Sequence, residues 1–308
     1  MVRNRILVCT LIAAMGLASA AGAQLSSAWM VPAAAHNPGA NGTFWYTDLS
    51  LHNPHGFTLP VRVFFLESDR DNSTSPVLDL DLSPYETVNL WDVLGPDVFG
   101  IRGTGAFLIF ADYDRISCAT DQECAFLASS RTYTPDPLSP LGEFGQGIPG
   151  RSIDQGVDWD TYGYVAGILN DGSAFRCNVG AASWSDAWTT LRVDVQDGAG
   201  NILATEELEL PPFGHVQRRL DTPVTGGSLV FYLVEGPGDA LVFPYASVVS
   251  QDTGDPTFLA AEPSTVGVTV SSAGPLAKRS ARSRPHPEPA VRLSRPRLPA
   301  QRPRRPAR

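Results

Sequence analysis

Tyr46-Thr47-Asp48-Leu49-Ser50-Leu51-His52-Asn53 alternates polar and apolar side chains from Asp48 onward, the signature of a strand with one face on a core and one in water. Outward from it, a second run spans 61–66, and a third at 78–82 leads into Ser83-Pro84-Tyr85-Glu86. Gly103-Thr104-Gly105-Ala106 then opens an apolar run to Ala111, and Leu127-Ala128-Ser129-Ser130-Arg131 closes the series. The same order recurs. Runs at 164–170, 191–195 and 203–210 lead into Pro211-Pro212-Phe213-Gly214, Gly226-Gly227-Ser228 opens 229–234, and Tyr245-Ala246-Ser247-Val248-Val249 closes. Pairing Asn53 with Asn170, Pro84 with Pro212 and Gly105 with Gly227 gives spacings of 117, 128 and 122 residues, so the drift falls in loops, as in diverged copies of one fold.

No segment carries a convincing helical period, and Asp197-Gly198 with Gly200-Asn201 supplies the chemistry of a tight hairpin. The reading is all-β: two tandem immunoglobulin-like antiparallel β-sandwiches of about seven or eight strands each, with a disordered C-terminal tail. Runs 61–66 and 107–110 do not alternate, which predicts strands buried on both faces or passing between sheets.

Residues 1–5 are basic, 6–20 are apolar or small, and Ala21-Gly22-Ala23 has the small-x-small form of a cleavage site. A secretory signal over 1–23 is expected, giving a secreted, periplasmic or cell-surface protein with no membrane span after cleavage. The expected order is then a first sandwich over 24–134, a Pro/Gly-rich linker over 135–147, a second sandwich over 148–272 and the tail over 273–308. Three prolines in Pro135-Asp136-Pro137-Leu138-Ser139-Pro140 remove ladder donors, which makes the stretch either a linker or an extended arm lying over the first sandwich, and Glu143 to Pro149 is expected to open the second copy. With export, a Cys118–Cys124 disulfide is expected; it leaves Cys177 as either a buried thiol or an intermolecular bridge.

Charge is split along the chain. Residues 24–274 hold 10 basic and 31 acidic side chains, a net of −21, whereas the tail from Pro275 carries eleven basic residues and one acid. The tail arginines Arg279, Arg282, Arg284, Arg292, Arg295, Arg297, Arg302, Arg304, Arg305 and Arg308 form a candidate electrostatic anchor for an anionic envelope or matrix polymer, through counterion release.

Val31-Pro32-Ala33-Ala34-Ala35-His36-Asn37-Pro38-Gly39 and then Gly42-Thr43-Phe44-Trp45-Tyr46-Thr47-Asp48-Leu49-Ser50-Leu51-His52-Asn53-Pro54 resemble the opening of a family of secreted bacterial tandem β-sandwich (immunoglobulin-like) repeat proteins. Leu82-Ser83-Pro84-Tyr85-Glu86 and Gly103-Thr104-Gly105-Ala106 fit the same pattern. The second copy departs from it, with Tyr162-Gly163-Tyr164-Val165 in place of the opening Trp and Thr-Asp. The resemblance implies an exported immunoglobulin-like module and brings no catalytic residues.

There is no Gly-x-Ser-x-Gly elbow and no His-Glu-x-x-His helix. His52 and His55 lie three apart around an Asn-Pro turn, which reads as loop histidines rather than metal ligands. Asp69 and Asp71, with Asn72, and Asp154, Asp158 and Asp160 are candidate calcium ligands or simply solvated loop charge. Trp184 and Trp188 either stack on sugar rings or plug one end of the second sandwich. The expected function is an exported, non-enzymatic binding or structural protein of the cell surface or extracellular matrix, needing no cofactor. The alternatives are a secreted glycan-acting hydrolase using loop carboxylates or calcium, and a self-assembling surface subunit.

Overall fold

The computed structural model describes residues 25–136, 139 and 142–266. The expected signal segment and the candidate tail arginines lie outside the described residues. Among the described residues there is no α-helix, and none long and apolar enough to cross a membrane.

The first copy comprises β1 (Ala28–Pro38), β2 (Phe44–His52), β3 (Leu59–Glu67), β4 (Val77–Leu82), β5 (Thr87–Leu90), β6 (Gly103–Ala111), β7 (Leu127–Pro135) and β8 (Glu143–Pro149). One sheet runs β4-β3-β6-β1 and the facing one β5-β2-β7-β8, joined at a corner where β1 and β2 share the pairs Asn37↔Trp45 and Pro38↔Phe44. The second copy comprises β9 (Tyr162–Asn170), β10 (Phe175–Ser183), β11 (Thr189–Gln196), β12 (Ile202–Leu210), β13 (His215–Arg219), β14 (Val224–Glu235), β15 (Val242–Ser250) and β16 (Pro256–Ala260), with a short β17 (Glu262–Ser264) added beside β9. Its sheets run β12-β11-β14-β9-β17 and β13-β10-β15-β16, so strand order repeats position for position. All ladders are antiparallel. The layers are those of a sandwich, and each copy places its first strand beside its sixth and its seventh beside its second.

Two sequence expectations change. Glu143–Pro149 does not open the second copy: it is β8, hydrogen-bonded along β7 from Pro135↔Glu143 to Ser129↔Pro149, so the expected linker over 135–147 ends inside a sheet of the first sandwich. A strand edge with free donors and acceptors outcompetes a solvated linker here. The partner of Asn53 is Ser183, not Asn170. Asn53 N–H donates to Glu86 O (2.9 Å) and Ser183 N–H to Gly214 O (2.8 Å), whereas Asn170 ends β9, the counterpart of β1.

Each sandwich has its own core. Leu49, Leu51, Val61, Val63, Phe65, Phe107 and Ile109 fill the first; Val179, Leu191, Val193, Val195, Leu229 and Phe231 fill the second. A third apolar cluster joins them: Met30, Phe64, Leu66, Ala106 and Leu108 from the first copy meet Ala182, Phe213 and Phe243 from the second. This explains the missing alternation at 61–66 and 107–110. One face of β3 and β6 lines its own core and the other is covered by the neighbouring sandwich. At about 1.5–3 kcal/mol per large apolar side chain, that contact contributes on the order of 10 kcal/mol as an upper bound.

Polar contacts clasp the same junction. Asn72 N–H donates to Pro212 O and its Nδ2 to Phe213 O, both at 3.0 Å, and Asp69 N–H donates to His215 O at 2.9 Å. Arg151, between β8 and β9, exchanges two backbone hydrogen bonds with Met30 and grips Glu262 through two nitrogens, at 2.9 and 3.1 Å.

Candidate functional site

A cleft of about 690 Å³ opens where the two sandwiches diverge beyond their shared core. The corner after β1, with Trp45, Thr132, Phe144 and Gln146, forms one wall. The outward face of β13-β10-β15 and the turn between β15 and β16 form the other. Its size falls in the range of small-ligand sites.

Strand pairing sets the polar groups. Side chains alternate along β10, so Cys177 and Val179 enter the core and Arg176 and Asn178 face outward. Arg219 lies opposite Asn178 across the ladder, diagonal to Arg176, and Gln217 and His215 follow on the same face of β13. Across β15, Asn178 is opposite Ser247. The cleft wall therefore carries two guanidinium groups backed by carboxamides and a hydroxyl.

The body has ten arginines for its 31 acids. Arg62, Arg70, Arg115, Arg131, Arg151, Arg192 and Arg218 pair with carboxylates, and Arg102 lies over the Phe44 ring. Among the described residues no carboxylate pairs with Arg176 or Arg219, although Asp136 and Asp252 also line the cleft. Burial, and then the Arg219 charge beside it, lower the Arg176 pKa, and the guanidinium stays protonated.

The cleft floor is a buried chain of hydrogen bonds. Tyr245 hydroxyl donates to Gln217 Oε1 (2.9 Å) and accepts from His215 Nε2 (2.8 Å), while Ser68 hydroxyl donates to His215 Nδ1 (2.7 Å). Burial pushes His215 down to about 4 and raises the Tyr245 phenol, so both are neutral at ordinary pH. They set the wall's shape rather than its charge.

The residues singled out from the sequence do not converge here. Trp184 is half-buried against the shared apolar core, its ring 6.3 Å from Phe243; Trp188 is 63% exposed and borders a separate depression with Asp69, Glu207, Glu209 and Arg218. The five candidate calcium ligands fall in two places. Asp69 pairs with Arg218 at 2.7 Å, and Asp71 accepts from Ser73 N–H and hydroxyl. Asp154 accepts from Ser152 hydroxyl and Asp158 from Asp160 N–H; Asp154 and Asp158 border a shallow depression with Asp121. Among the described residues no three His, Cys, Asp or Glu side chains form a group that could hold a metal ion. His52 meets Thr87 Oγ1 at 2.9 Å and His55 donates to Ala125 O at 2.7 Å, on separate partners.

Cys118 and Cys124 are bonded, their Cα atoms 6.0 Å apart, and a loop this short adds about 2 kcal/mol. Cys177 lies fully buried in the second core, where burial pushes its thiol up to about 12; the intermolecular-bridge alternative is corrected, because no partner thiol can reach it. The cleft residues Arg176, Asn178, Gln217 and Arg219 escaped sequence reading. Their one signal was the scarcity of cations in an acidic body, which names arginines without saying which two meet. No protein-family model matches the chain, and no curated protein matches it.

Proposed function

We propose that this chain is an exported, non-enzymatic binding protein of the cell surface or extracellular matrix, and that recognition lies in the cleft between its two sandwiches. One observation carries the reading: a third apolar core locks the sandwiches together and leaves an open polar wall beside the joint, a preformed concave site of the kind that binds ligands without reorganising. The disulfide is in keeping with an oxidising compartment. The hydrolase alternative has less support, because Asp69 is in an ion pair, Asp71, Asp154 and Asp158 accept hydrogen bonds within their loops, and none of the five candidate carboxylates lines the cleft.

Sedimentation with the producing organism's cell envelopes tests this, comparing the intact chain with one ending at Gly274. Equal sedimentation of both forms is expected. Loss on truncation would move recognition to the arginine-rich tail and overturn the cleft assignment.

A further inference from the structure

We propose that the cleft takes an acidic saccharide, its carboxylate held by Arg176 and Arg219 and its hydroxyls by Asn178 and Gln217. This rests on the cleft being the recognition site. Both arginines stand on one sheet face, on adjacent strands, and line the same cleft without a carboxylate partner among the described residues. In a body of net charge −21, two arginines left unpaired at one place mark where a negative charge from outside is received.

The surroundings select the class of anion. Next to the guanidinium groups come the carboxamides of Asn178 and Gln217, which both donate and accept and so match the hydroxyls of a sugar ring, whereas the buried Ser247 hydroxyl donates to Gln146 Oε1 at 3.5 Å. The wider field argues against a polyanion. The surrounding acids repel a densely charged strand, and two cations offset only one or two phosphates, whereas a ligand with a single carboxylate per ring meets attraction locally and little repulsion beyond.

The test uses the full chain, titrated calorimetrically at physiological salt with a short oligogalacturonate, its methyl ester, sodium sulfate and a single-stranded oligodeoxynucleotide. Affinities are read as ratios of wild type to Arg176→Ala, Arg219→Ala and Arg102→Ala, which cancels the shared contribution of the basic tail. Arg102→Ala removes the same charge outside the cleft. Oligogalacturonate is expected to weaken about tenfold or more with either cleft substitution, and to be unaffected by Arg102→Ala. The methyl ester is expected to bind about tenfold more weakly than the acid, with no further loss in the cleft variants. Equal loss in all three variants, or an ester that binds as well as the acid, overturns the proposal. Sulfate or oligodeoxynucleotide showing the same cleft dependence at equal or higher affinity also overturns it, in favour of a general anion site. Envelope sedimentation of the double cleft variant separates the two levels: reduced sedimentation without saccharide binding sinks the ligand class alone, and unchanged sedimentation sinks the cleft reading with it.

Discussion

His215 is one point where the two sandwiches exchange side-chain hydrogen bonds, and it does so as a neutral ring. Burial holds its folded pKa at about 4, below the ordinary 6.5. The unfolded chain therefore takes up a proton that the folded chain refuses. Above pH 6.5 the residue has no pH-linked effect; as pH falls from about 6.5 to about 4, stability drops, by about 3 kcal/mol for a shift of this size. Thermal unfolding followed across that range is expected to show the fall, and His215→Gln to flatten it; an equal slope in both proteins would place the acid sensitivity elsewhere. The histidine itself was visible in the sequence. Its role was not, because Ser68 and Tyr245 reach it from opposite directions along the chain.

Gly105 and Gly227 occupy the same position on β6 and β14, and a Cβ at either would collide with a backbone carbonyl, that of Leu66 or Gln196. Here the repeat read from sequence has a physical cause: a neighbouring strand comes too close for any side chain. Gly105→Ala and Gly227→Ala are each expected to cost about 1–3 kcal/mol in denaturant unfolding, and a neutral result at either site would mean the ladder shifts freely there. The corner before β5 and β13 is also duplicated. Glu86 N–H donates to Ser83 O and Gly214 N–H to Pro211 O, with proline second in each turn and an aromatic residue third at positive φ, Tyr85 at 57° and Phe213 at 47°. The proline motifs aligned correctly from sequence because the turn demands them. Asn53 and Asn170 misaligned because an asparagine after a strand suits many local structures.

The repeat's symmetry ends at the joint. Leu66↔Ala106 and Phe64↔Leu108 in the first copy match Gln196↔Ser228 and Asp194↔Val230 in the second, so one sheet face is apolar in the first sandwich and largely polar in the second. Its docking element is likewise used once: Phe213 is 6% exposed against the first sandwich, whereas Tyr85 is 69% exposed. Phe64→Asp with Leu66→Gln, which gives the first face the second's residues, is expected to split one cooperative unfolding transition into two, read by calorimetry and by fluorescence; a single unshifted transition would show that the joint is not needed for coupling. By itself the sequence determined the strand content, the duplication and the turns, since alternation, glycine and proline act over a few neighbouring residues. It also marked 61–66 and 107–110 as strands either buried on both faces or passing between sheets. Only the tertiary structure decided what covers them, that β8 belongs to the first sandwich, and that Arg176 and Arg219 share a cleft, because edge pairing and the packing of one sheet on another join residues far apart in the chain.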